Sequence, residues 1–197
     1  MTLVANSKKT NIFSRFFKID LYSFQIQQFN GEISPMTHRE VLERGEAVCV
    51  LPYDPVTQTV VLIEQFLVGS WLAGQNERPL QVIAGMVDKD MSHQDIARAE
   101  AFEEAGCIID ELIEGPKFLP SPGGCSELVH SYLSITDLSD YNGGLFGLES
   151  EGEDIRAVKM NADEAIQLLD SGEITAGPAV VLLSWFARNK HRFDTTT

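Results

Sequence analysis

Apolar and polar positions alternate with a period of two along residues 16–29 (FFKIDLYSFQIQQF), and aromatic and β-branched residues recur, so a strand is expected there. Asn30-Gly31 is a hairpin signal, which places a return strand over 32–43. Apolar runs at 47–52 and 59–66 flank Tyr53-Asp54-Pro55 and read as strand, turn, strand. Residues 71–79 are polar and irregular, a loop; 80–84 form a short buried strand that ends at Gly85. The period then becomes helical. Ser92, with Asp95 three residues on, starts a helix by a capping-box pattern. Ala97, Ala101 and Phe102 supply its packing side, and Gly106 ends it. Ser121-Pro122-Gly123-Gly124 is a turn, 127–135 a strand, and the glycine-rich acidic stretch 141–153 a mobile loop. Helices are expected over 162–171 and 179–188, separated by a turn at Gly177-Pro178, with a frayed end after Phe193. There is no internal repeat.

Composition narrows the picture. A chain of 197 residues, 44% of them hydrophobic, suits one sizeable core and is short for two. No apolar run reaches the ~20 residues of a membrane helix, and MTLVANSKKTNIF lacks the apolar core of a signal peptide, so no membrane partner is expected. Cys49, Cys107 and Cys125 are scattered, which fits reduced thiols in a cytoplasmic protein. The net charge of −14 argues against nucleic acid, which requires basic patches. A small phosphate-bearing substrate stays compatible, because bound metal inverts the local sign.

The candidate chemistry lies between Gly85 and Gly106, GMVDKDMSHQDIARAEAFEEAG. Glu100, Glu103 and Glu104 fall on one stripe of the expected helix. Three carboxylates there repel one another unless a cation sits against them, and hard divalent ions favour such oxygen ligands. The plain alternative is a solvated acidic face. His38, His93, His130 and His191 are scattered, there is no phosphate-binding glycine loop, and Trp71 and Trp185 read as packing residues.

The segment resembles the Nudix box, G-x5-E-x7-R-E-U-x-E-E-x-G-U with U apolar: Gly85, Glu100, Ala101, Glu103, Glu104, Gly106 and Cys107 occupy matching positions. HREVLERGEAVCVLPYDP, VVLIEQF, VIAGM, FLPSPGGCSE and SEGEDIR extend the resemblance, to bacterial ADP-ribose pyrophosphatases, over nearly the whole chain. The resemblance implies an α/β/α sandwich around a mixed β-sheet (residues 46–197) with a small antiparallel N-terminal β-subdomain (1–45) that forms a homodimer. It also implies Mg²⁺, with Mn²⁺ as a substitute, and a nucleoside-diphosphate sugar as substrate. By similarity Glu100, Glu104, Glu153 and the carbonyl of Ala84 are metal ligands, with Glu103 assisting and Glu151 as general base. Phe16 and Arg39 match residues at the adenosine end; Glu127, Gly85 and Pro122 match others of the substrate site. Their plain alternatives are core packing for Phe16, a surface strand position for Arg39 and a turn cap for Glu127.

The chain departs from the pattern at four places. Met91 and Ala99 stand where the box has glutamate and arginine, an exchange of an ion pair for packing. Leu67 replaces an arginine that contacts the diphosphate, and Gln81 a glutamate. The expectation is hydrolysis of ADP-ribose to AMP and ribose 5-phosphate, altered or slow. The alternatives are another nucleoside-diphosphate sugar, such as GDP-mannose, and a catalytically weak ADP-ribose-binding module.

Overall fold

The strand Glu46–Asp54 (β4) reads EAVCVLPYD and is buried along nearly its whole length. Val48 and Val50 enter one core with Ile96, Ala97 and Ala101; Cys49, Leu51 and Tyr53 enter another with Ala165, Leu182 and Phe186. A strand covered on both faces needs no polar face, so it reads as a continuous apolar run. It is central in the larger sheet of the computed structural model, which describes residues 3–87 and 90–194. The sheet also holds Thr59–Gln65 (β5), Leu80–Gln81 (β6), Ile83–Met86 (β7), Glu111–Phe118 (β8), Leu128–Ile135 (β9), Gly144–Phe146 (β10) and Ile155–Asn161 (β11). The strand order is β10-β11-β5-β4-β9-β8, with β6 beside β5 and β7 beside β4. The helix His93–Ala105 (α2) covers one face; Ala162–Asp170 (α3) and Gly177–Asn189 (α4) pack on the other. This is the α/β/α sandwich that the resemblance implies.

A three-stranded antiparallel sheet, Val4–Ser14 (β1), Lys18–Ile26 (β2) and Thr37–Glu43 (β3), precedes it. The chain divides into two compact units: Met1–Glu46 with Leu119–Leu128, and Ala47–Phe118 with Val129–Thr197. In the first unit, Leu42 exchanges backbone hydrogen bonds with the 119–128 segment, donating to Gly124 (2.8 Å) and accepting from Ser126 (3.0 Å).

Several elements differ from expectation. The strand of 16–29 is shorter, and Phe16 and Phe17 lie in the bend between β1 and β2. Strand β1 has no legible pattern because its residues are almost all exposed, so neither face demands apolar side chains. Residues 32–36 are irregular, and the return strand begins only at Thr37. Strand β8 carries Gly115-Pro116 at a register shift between Glu114 and Lys117, a breaker signal absorbed as a bulge. Within 71–79, helix α1 (Val68–Leu72) extends into the expected loop. The stretch 141–153 contains β10 and a 3-10 turn at Glu149–Glu151, and Tyr141 donates from its hydroxyl to Ala105 O at 2.6 Å. Phe102 does not pack: it is 61% exposed, and Ile96 and Ala105 take its place on the buried side. Pro178 lies in the first turn of α4 rather than before it, where its missing N–H costs nothing. Asp194 is held by Tyr53 and Gln58; the rest of the expected frayed end, 195–197, lies outside the described residues. No helix among the described residues is long and apolar enough to cross a membrane.

Candidate metal centre and substrate site

Helix α2 begins where Ser92 Oγ accepts from Asp95 N–H (3.1 Å) and ends at Gly106, whose φ of 63° supplies the left-handed cap. Between these points Ala97, Ala101 and Ala105 lie flat on the sheet, so the backbone approaches β7 closely. That approach is tightest at Gly85. A Cβ there would stand 2.1 Å from Glu100 Cδ, so only glycine leaves room for this carboxylate. One turn on, Glu104 is 4% exposed, and its Oε2 accepts from Ala84 N–H at 2.9 Å. Glu153 comes from the loop before β11 and accepts from Leu148 N–H at 3.1 Å. Gly147 N–H, donating to Glu103 O at 3.2 Å, ties that loop to the end of α2.

The charges of this cluster act on one another. Burial raises the Glu104 carboxyl from 4.5 to about 8; the Ala84 N–H opposes the rise, and Glu100, Glu153 and Glu103 add to it. A buried carboxylate surrounded by three others is poorly suited to stand alone at neutral pH. A divalent cation resolves the conflict, and a set made only of oxygen donors fits Mg²⁺ or Mn²⁺. Of the metal set expected from sequence, Glu100 and Glu153, with Glu103, lie near enough to Glu104 to raise its carboxyl, and Ala84 meets Glu104 through its backbone N–H. Glu151 is exposed on the 3-10 turn, two residues before Glu153.

The expected substrate residues of the first unit divide differently. Arg39 on β3 and Pro122 line a cavity of about 750 Å³ with Tyr22, Phe24, Glu43 and Ser126. Glu43 is its polar hub: it accepts from Ser126 Oγ (2.8 Å), from Lys9 Nζ (3.2 Å) and from the Tyr22 hydroxyl. Neither Glu43 nor Ser126 stood out in the sequence, because the register of β2 on β3 and the fold-back of 119–128 bring them together. Phe16 is not core: it is 83% exposed, with its ring edge-on to Phe17 at 4.9 Å. Glu127 accepts from Arg44 Nε at 3.0 Å, and Arg44 in turn lies over the Phe17 ring, 5.0 Å from its centre.

The replaced positions are also resolved. Met91 is 45% exposed, so the expected exchange of an ion pair for packing is not realised at that end. Gln81 opposes Ile63 on β5, and its amide faces Gln65 at 3.4 Å.

The carboxylate cluster, with the Gly85 approach that shapes it, can be set against known proteins. The ADP-ribose pyrophosphatase of Escherichia coli K12 is 37% identical over 177 residues, covering 90% of this chain and 84% of the relative. This chain belongs to the Nudix hydrolases. A second ADP-ribose pyrophosphatase, from Haemophilus influenzae, is 33% identical over 181 residues, covering 90% of the chain and 83% of the relative. The GDP-mannose pyrophosphatase of Enterobacter sp. strain 638 is 34% identical over 188 residues, covering 94% and 96%. A crystal structure of an ADP compounds hydrolase shares the Nudix fold with a TM-score of 0.68 at 20% identity, over 98% of this chain and 96% of its own. No protein-family model matches the sequence. The Nudix hydrolase fold thus carries its acidic helix here with Glu100, Glu103 and Glu104 kept and with Met91 and Ala99 at the two departing box positions.

Proposed function

We propose that this Nudix hydrolase cleaves the diphosphate of ADP-ribose to AMP and ribose 5-phosphate, with Mg²⁺ as its metal and Mn²⁺ as a substitute. The observation that carries the reading is the gathering of Glu100, Glu103 and Glu153 around Glu104, whose carboxyl is buried. When bound, the divalent cation supplies charge neutralisation on the phosphate oxygens and lowers the pKa of a water. Glu100, Glu104, Glu153 and the Ala84 carbonyl hold it, and the Glu104–Ala84 hydrogen bond fixes the orientation of one ligand. Glu151 takes the proton of the attacking water on a carboxylate oxygen that solvent can reach. In the first unit, Arg39 offers its guanidinium to the adenosine end within the cavity it shares with Pro122, and Phe16 offers an exposed ring for stacking. Glu127 holds Arg44, which lies over the Phe17 ring.

Homodimerisation through the N-terminal unit belongs to this reading. That unit leaves Phe13, Phe16, Phe29, Ile12 and Ile33 exposed, apolar side chains that a second copy would cover. A cytoplasmic location fits the three free thiols.

A second substrate has support from two observations. Leu67 replaces an arginine expected to contact the diphosphate and Gln81 replaces a glutamate, and a GDP-mannose pyrophosphatase matches the chain over 94% of its length. A panel of ADP-ribose and GDP-mannose with Mg²⁺ and Mn²⁺, run on wild type and Glu104→Gln, separates the readings. Preferred turnover of ADP-ribose, abolished in Glu104→Gln, is the expected result. Preferred turnover of GDP-mannose would replace the substrate, and binding of ADP-ribose without turnover by either protein would make the chain a binding module.

A further inference from the structure

The loop that delivers Glu153 adds a further carboxylate to an acidic cluster, so before a cation arrives Glu153 is repelled by the charges of Glu100 and Glu103. Within the loop Leu148 N–H donates to the Glu153 carboxylate (3.1 Å) and Glu153 N–H to Leu148 O (3.2 Å). Gly147 N–H reaches Glu103 O at 3.2 Å, and the turn then closes on itself through Glu151 N–H to Leu148 O (2.9 Å) and Gly152 N–H to Glu149 O (3.1 Å). Gly152 has a φ of 70°, and a Cβ added there would meet open space.

An ion pair stands at the far end of the loop. Asp154, next to Glu153, takes Arg78 Nη2 on its Oδ2 at 3.1 Å. Two residues on, Arg156 pairs with Glu64, directly opposite it on β5. Glu64 also opposes Leu80, which packs toward α3 and α4, so this pair lies on the sheet face away from α2. The four charged residues and Leu145 line one cavity of about 360 Å³. Arg78 is itself well seated. Its N–H donates to Asn76 Oδ1 (3.0 Å), Glu77 O accepts from Leu67 N–H (2.9 Å), and Pro79 behind it is buried.

We propose that Arg78 is a positioning residue: its ion pair with Asp154 holds the 147–154 loop inward against carboxylate repulsion and keeps Glu153, and with it Glu151, at the metal cluster. This rests on the metal-dependent reading above. Both partners are largely exposed, 63% for Arg78 and 73% for Asp154, so the pair contributes little to global stability. Its removal therefore shifts the loop without unfolding the protein.

The test compares wild type, Arg78→Ala, and the charge-swapped pair Arg78→Asp with Asp154→Arg. Mn²⁺ affinity is measured by calorimetric titration, and hydrogen exchange is followed at the amides of Leu148, Glu151, Gly152 and Glu153 in metal-free protein. Arg78→Ala is expected to weaken Mn²⁺ binding about 3- to 5-fold and to speed exchange at those amides by a similar factor, with an unchanged melting temperature. The swapped pair is expected to return both to within about 2-fold of wild type. Equal affinity and equal exchange in wild type and Arg78→Ala would overturn the proposal. A wild type that binds no Mn²⁺ would instead overturn the metal reading, and the metal-free exchange comparison would still decide the role of Arg78.

Discussion

Glu104 makes the metal-free protein sensitive to pH in a direction opposite to that of most carboxylates. Its carboxyl is raised from 4.5 to about 8, first by burial and then by Glu100, Glu153 and Glu103. The folded state therefore keeps a proton that the unfolded chain releases. Stability from this group is fully present below pH 4.5 and is lost as pH rises through about 8. At about 1.4 kcal/mol per pH unit, the loss across that interval is on the order of 5 kcal/mol. The perturbation is Glu104→Gln, which keeps an oxygen for the Ala84 N–H and carries no charge at any pH. The assay is urea unfolding in the presence of a chelator at about pH 5 and about pH 8.5. Wild type is expected to lose several kcal/mol more than Glu104→Gln between the two. Added Mg²⁺ is expected to restore stability at the higher pH in wild type and much less in the variant. Equal losses in the two proteins would refute the reasoning, because they would show that the Glu104 proton is not held by the fold.

Three further outcomes follow from the same geometry. Gly85→Ala drives a Cβ into the Glu100 carboxyl, the movable end of a side chain, so Mn²⁺ affinity read by titration should fall about 10-fold or more with a small change in melting temperature. Gly106→Ala meets both a φ of 63° and the Phe146 ring at 2.5 Å, and should cost about 2–4 kcal/mol in urea unfolding. Restoring the box pair with Met91→Glu and Ala99→Arg together should raise kcat on ADP-ribose several-fold in steady-state kinetics, and an unchanged rate would show that other contacts already brace the site.

The parts of the fold that were legible are those whose burial demands a pattern. Strands β4 and β5 and helices α2, α3 and α4 have faces against a core, and their apolar spacing shows it. Strand β1, nearly all exposed, has nothing to pattern, and β8 hides behind Gly115-Pro116. Phe102 was misread for a related reason: spacing on a short helix defines a stripe but not its edges, and small alanines took the close contact with the sheet. In the site, Glu100, Glu103 and Glu104 could be grouped from sequence because one helix carries them at local spacing. The cavity around Arg39 could not be drawn, since Glu43 and Ser126 meet only when 119–128 folds back onto β3.

The amino-acid sequence alone determined that an acidic helix starts at Ser92, stops at Gly106 and presents its glutamates along one stripe, because capping and helical periodicity are local properties of the chain. Tertiary structure alone decided that this stripe faces the sheet and gathers Glu153 beside it, the arrangement on which the proposed metal centre rests. It pressed Glu100 against Gly85, buried Glu104 at Ala84, and brought Glu153 from a loop some fifty residues away. The reason is electrostatic. Carboxylates in water are screened from one another, whereas a carboxylate buried against the sheet as Glu104 is feels its neighbours far more, and only folding can move it from the first condition to the second.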